Sequence, residues 1–173
     1  MPSPSGSYIT NYLKNKYQWE QNFARARELA ALDGVPQTQW NSYEHAYFSA
    51  WLQFKYSGGP SGGSLAHDLG DGLELAAYLN WLTGGADNRA DSYKDLWNNN
   101  IGRQIGEYAR QNGLGLADIE RLLREAFQRG DLIKDLFDDK MPTFGWGGTP
   151  FEFDNGLPKL EQIPFRLAHI RRH

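Results

Sequence analysis

Residues 91–106, Asp-Ser-Tyr-Lys-Asp-Leu-Trp-Asn-Asn-Asn-Ile-Gly-Arg-Gln-Ile-Gly, have the spacing of a helix and a composition that resists one. Asp91, Asp95, Asn98 and Gly102 stand at i, i+4, i+7 and i+11, which lines them along one helical face. Asn and Asp bond to nearby backbone in non-helical conformations and prefer caps and turns. Three consecutive asparagines inside a helix are therefore a local cost that other interactions must offset. Any fold for this chain has to give these side chains partners, and segments that break local rules are where functional residues concentrate.

The rest of the chain reads as helices set apart by glycine and proline. Between residues 9 and 32, Tyr12, Leu13, Trp19, Phe23, Ala26, Ala30 and Leu32 recur at helical intervals, and Asp33-Gly34 with Pro36 ends the run. Asn41 and Glu44 have the spacing of a capping box. The helix they would open, over 41–56, carries Tyr43, Ala46, Tyr47, Ala50, Trp51 and Phe54 over much of its circumference, which predicts a central position. Ser57-Gly58-Gly59-Pro60-Ser61-Gly62-Gly63 is the strongest break, and it reads as a loop rather than a domain boundary.

Ser64 can cap a helix over 64–82, which Thr83-Gly84-Gly85 stops; its interior holds His67, Asp68, Asp71, Glu74, Gly70 and Gly72. The polar segment extends into a helix over 92–111, with Asp91 or Ser92 as its cap and Asn112-Gly113 at its end. Residues 116–128 are cleanly amphipathic, and Asp131 caps a short helix through Phe137. From Asp138 onward, prolines, glycines and aromatics predict an extended tail anchored on the helical body, or a hairpin in which Thr143-Phe144 pairs with Phe151-Glu152-Phe153. The expected fold is all-α: a single helical domain of five to six helices. Residues 1–7 form a flexible leader, 8–138 the helical domain and 139–173 an irregular C-terminal extension packed on it. The helices over 41–56, 64–82 and 92–111 are expected to make the core.

Composition bounds the function. With 173 residues, 40% hydrophobic and 14% aromatic, the chain can build a core of its own. A net charge of −3 argues against nucleic acid as partner, although Arg166, Arg171 and Arg172 gather near the C-terminus. The absence of cysteine excludes disulfides, thiolate metal sites and thiol nucleophiles, and leaves the chain indifferent to redox compartment. Met-Pro-Ser-Pro-Ser-Gly does not open a standard signal peptide, and no apolar run approaches the ~18 residues of a membrane span. Export would need another route.

Four clusters can carry chemistry: Glu44-His45; His67, Asp68, Asp71 and Glu74; Asp87, Asp91 and Asp95; and Asn98, Asn99 and Arg103. Histidine and carboxylates on facing helices are how helical proteins build acid–base or metal sites. On this reading His45, Glu74, Asp71 and Asp95 are the catalytic candidates. Asn98, Asn99, Arg103 and Glu44 would bind substrate, and a divalent metal could be held by His45, Asp71, Glu74 and Asp91. Plainer roles stand beside these. His45 could be a hydrogen-bonded core histidine, Asp87 and Asp91 turn and cap residues, and Asp118, Glu120, Arg121, Arg124 and Glu125 a solvated face. His169 and His173 fall in the tail. The stretch Asp87-Asn88-Arg89-Ala90-Asp91 lacks the glycine and glutamate of a calcium loop, and no P-loop, dinucleotide fingerprint, zinc-protease or serine-hydrolase motif occurs.

Three phrases, Asn41-x-x-Glu44-His45-Ala46-Tyr47-x-Ser49-Ala50, Leu69-Gly70-Asp71-x-x-Glu74 and Asp91-x-x-x-Asp95-Leu96-x-Asn98-Asn99-x-x-Gly102-Arg103-x-Ile105-Gly106, occur in this order. Together they resemble a family of uncharacterised bacterial domains found in secreted proteins and at the C-termini of polymorphic toxins, over roughly residues 40–110. The family pattern has a histidine directly before the glutamate of the second phrase, and Leu73 takes that place here. A metal site built on both histidines would have lost a ligand, unless His67 replaces it. The resemblance implies a toxin- or effector-like setting. The expected function is a hydrolase acting on a cell-envelope substrate, peptidoglycan or phospholipid, in the periplasm or outside the cell, with the cytoplasm still open. A cognate immunity or inhibitor protein, or a secretion component, would be its partner. The alternative is a binding or structural module whose polar cluster is a buried helix-packing network.

Overall fold

A computed structural model describes residues 16–56, 89–141, 152–154 and 157–159. Its helices are α1 (Trp19–Leu32), α2 (Trp40–Tyr56, entered through a 3-10 turn at Gln37–Gln39), α3 (Arg89–Gln111) and α4 (Leu116–Arg129). The described body is all-α, four helices long. The helix expected over 64–82, with Asp71 and Glu74, lies outside the described residues, as do residues 1–15. Farther on, Glu152–Asp154 (β1) pairs antiparallel with Leu157–Lys159 (β2), with Phe153 opposite Pro158. Phe153 is thus in a hairpin, but its partner strand follows it in the chain. Asn155-Gly156, a strong hairpin dipeptide, sits between the two strands.

Helix α2 is the centre, because it packs against α1, α3 and α4. Tyr43, Ala46, Tyr47, Ala50 and Leu52 are all buried, as its apolar circumference predicts. Helix α1 runs antiparallel to it, with Arg27 beside Glu44 and the Phe23 ring tilted against Phe48 (ring centroids 5.3 Å). Helix α3 runs parallel to α2. Gly102 and Gly106 of α3 lie against the backbone of Ala46 and Ala50, and a methyl on either glycine would overlap an alanine carbonyl oxygen. Small residues one turn apart on both helices let the two backbones approach this closely. Helix α4 closes the other side, carrying Ile119, Leu122, Leu123 and Ala126 into the same core as Leu29, Tyr43, Ile101 and Ile105.

Four local expectations are corrected. The first helix does not run unbroken to residue 32: Gln18 adopts a left-handed conformation (φ 50°), and α1 begins after it. The Asn22 amide donates to the carbonyls of Tyr17 and Gln18, which satisfies the break. The capping box at Asn41 does not form. The helix already starts at Trp40 off the 3-10 turn, Asn41 is exposed, and Glu44 pairs with Arg27. Helix α3 is already formed at Arg89, the first described residue of this segment, which places Asp91 and Ser92 inside the helix rather than at a cap. Residues 131–137 are not helical. Leu132 and Ile133 are pulled into the core, and the Ile133 N–H and C=O are both taken by α3, so neither is free for a helical ladder. Asp135 and Asp138 accept from the N–H groups of Phe137, Lys134 and Lys140, which holds the segment in turns.

Candidate functional site

The parallel seam between α2 and α3 brings four polar side chains together. Helix α2 supplies His45 and, one turn on, Ser49; helix α3 supplies Asp95 and, one turn on, Asn99. His45 Nε2 lies 3.4 Å from Asp95 Oδ2. His45 Nδ1 lies 3.1 Å from Asn99 Oδ1, and the Ser49 hydroxyl donates to the same oxygen at 3.0 Å. Ser49, Asn99 and Asp95 are buried, whereas the His45 side chain keeps 23% of its surface exposed. The ring is therefore the member of the set that an outside molecule can reach.

Asp95 is the strained member. Its Oδ1 is buried without a hydrogen-bond partner among the described residues, and the Lys94 ammonium approaches it only to 3.7 Å. Burial pushes its carboxyl up to about 7; Lys94 opposes the rise, and the nearby Asp91 and Glu44 carboxylates add to it. A carboxyl in that range beside an imidazole can exchange a proton near neutral pH, the property that general acid–base chemistry needs. At 3.4 Å the pair is longer than a charge-assisted hydrogen bond.

The other candidates distribute around this core. Asp91 stands at the rim, largely exposed, and accepts from Lys94 at 3.1 Å. Glu44 is on the next residue from His45 but is paired to Arg27 of α1. Arg103 lies one turn beyond Asn99 on α3 and is half-buried. Asn98, expected to bind substrate, bonds outside this cluster. It is fully buried, its Nδ2 donates to the Ile133 carbonyl at 2.9 Å, and its Oδ1 accepts from the Ile133 N–H at 2.9 Å. The Ser42 hydroxyl donates to the same carbonyl at 2.7 Å. Both ends of the Asn98 amide are thus engaged with backbone inside the core. Among the described residues no group of three His, Asp or Glu side chains could hold a metal ion, and two members of the expected set, Asp71 and Glu74, lie outside them.

Two participants were not singled out from the sequence. Ser49 is one turn from His45 and Lys94 lies between Asp91 and Asp95, so helical spacing was the available signal. A further correction concerns the α4 surface expected to be solvated. Glu120 takes a two-pronged bond from Arg25 of α1 (2.9 and 2.8 Å), and Arg124 bonds Asp33, which also accepts from the Tyr43 hydroxyl at 2.6 Å. Burial and that hydrogen bond push the Tyr43 phenol well above its ordinary range. This face fastens α4 to α1 rather than meeting water alone.

No described helix is long and apolar enough to cross a membrane. Comparison with family models, curated proteins and solved structures finds no match for this chain.

Proposed function

We propose that this chain is a toxin- or effector-like hydrolase domain acting on a cell-envelope substrate, peptidoglycan or phospholipid, with His45 and Asp95 as its acid–base pair. The observation that carries the reading is the juxtaposition of a partly open imidazole and a buried carboxyl at about 7, 3.4 Å apart. His45 would meet the reacting group, while Asp95, shielded behind it, holds or returns a proton. Arg103 and Asp91, on α3 to either side of Asp95 and Asn99, would contact substrate. The envelope as target, and a cognate inhibitor as partner, rest on the resemblance of the three sequence phrases and on an acidic, cysteine-free composition.

The test is turnover of purified sacculi and of phospholipid vesicles by the intact chain, beside growth of bacteria expressing it in cytoplasm or periplasm. Periplasmic toxicity is expected, and His45→Ala should lower turnover by ~10²–10⁴-fold with the melting curve retained. Turnover of neither polymer, or full activity in His45→Ala, would overturn the assignment. A second reading, a non-catalytic binding module, is favoured by one observation: Asn98 and Asn99 are spent on contacts within the fold. It predicts no toxicity in either compartment.

A further inference from the structure

Asn99 is an unusual choice for the place it occupies. It is 2% exposed in the α2–α3 seam, and its Nδ2 finds no hydrogen-bond partner among the described residues. Leaving a buried donor unpaired costs ~1–3 kcal/mol, a cost that an apolar side chain would not carry. What the asparagine supplies is its other end. Oδ1 faces the Ser49 hydroxyl at 3.0 Å and His45 Nδ1 at 3.1 Å, and a carbonyl oxygen can only accept. A ring nitrogen facing it must therefore carry hydrogen. The Ser49 hydroxyl donates to Oδ1 on the same side as the ring, so the oxygen of the amide, with Ser49 and His45 both against it, is the end that faces the ring. The contact of Gly102 with Ala46, less than one turn from Asn99, brings the helices close enough for side chains as short as Ser and Asn to meet.

We propose that Ser49 and Asn99 are positioning residues that hold the neutral His45 ring with its hydrogen on Nδ1, so that Nε2 is the nitrogen that takes up and releases the proton. In the transfer, the Nε2 lone pair forms a new N–H bond as the O–H bond of the Asp95 carboxyl, 3.4 Å away, breaks; the electron pair stays on the carboxylate oxygen and the ring becomes an imidazolium. Asn99 Oδ1 accepts from Nδ1 before and after, so the ring need not turn during the step. This rests on the reading of His45 as the acid–base group, but the tautomer is measurable without any turnover.

The experiment is long-range 1H–15N correlation spectroscopy on the full-length chain with 15N-labelled histidine, at a pH where the ring is neutral. The chain has 4 histidines, and a His45→Gln variant identifies the His45 signals. The expected result is a protonated-type Nδ1 and an unprotonated-type Nε2 in the wild type. Asn99→Leu should release the ring toward the opposite tautomer, Ser49→Ala should do so in part, and Asn99→Asp, which restores an acceptor, should keep hydrogen on Nδ1. An Nε2-protonated ring in the wild type overturns the proposal whether or not any variant folds, and so does an unchanged tautomer in a folded Asn99→Leu. A wild type with the expected tautomer but no turnover would remove the hydrolase reading and leave the positioning roles standing.

Discussion

Asn98 and Asn99 are neighbours in sequence and point to opposite tasks. Asn98 pairs through both amide atoms with the Ile133 backbone, as one strand pairs with another. Asn98→Ala would remove two buried bonds and orphan the Ile133 N–H, so a loss of about 2–4 kcal/mol is expected from the usual cost of such groups. Urea unfolding with an unchanged slope would measure it. Asp95 makes the opposite demand. Its folded carboxyl sits at about 7, above the ordinary 3.8, so between those values the folded chain keeps a proton that the unfolded chain releases. Stability from this group is full below pH 4, falls as pH rises toward 7, and is flat above, a difference on the order of 4 kcal/mol by linkage. Glu107 works the other way. Arg110, with help from Gln53 and Gln111, holds it down at about 2, so its contribution is present above the ordinary carboxylate range and lost as pH falls toward 2. Comparing Asp95→Asn with wild type cancels that second trend. The variant should melt higher than wild type at pH 8 and close to it at pH 4; an equal gap at both would refute the burial of Asp95 as its cause. His45 and Asp95 were legible from residue type and spacing, because acid–base groups advertise themselves. The role of Asn98 was not, because its partner lies 35 residues away.

At the scale of elements, the ends of helices were more legible than their partners. Glycine after α1 and α3 takes the left-handed conformation at Gly34 and Gly113, and Val35 and Leu114 bond back to Ala30 and Ala109, as the local signals predicted. The segment after α4 failed the same kind of prediction, because a tertiary contact at Ile133 outweighed a local cap. The polar face of α3 is explained by what it meets: Asn98 and Asn99 satisfy groups outside their own helix, and Gly102 and Gly106 admit the α2 backbone. Glycine to alanine in an exposed helix gains ~1 kcal/mol. Gly102→Ala should reverse that sign and lose about 3 kcal/mol or more, because the added methyl meets backbone that cannot yield without moving a helix. A higher denaturation midpoint for Gly102→Ala would show that the helices are not in such contact.

Across the described body, α2 is the element that each of the other three helices packs against, and stability should be graded outward from it. Amide hydrogen exchange is expected to be slowest over residues 46–52 and 101–109, where the two backbones meet, and fast over most of 131–141. The Ile133 amide, bonded to Asn98 inside the core, should be the slow exception in that segment. Uniform fast exchange there would mean that the Asn98–Ile133 pairing opens independently of the core. The sequence by itself determined that the described body is helical, where its helices end, that α2 is central, and which side chains could exchange protons. Periodicity, glycine punctuation and side-chain chemistry all act over a turn or two, so they are written locally. The tertiary structure alone decided that α2 and α3 run parallel, that Asn98 holds the backbone of Ile133, and that Asn99 and Ser49 frame His45. Those contacts join residues 35, 50 and 54 positions apart, and donor meets acceptor at that range only once packing has set the distance between helices.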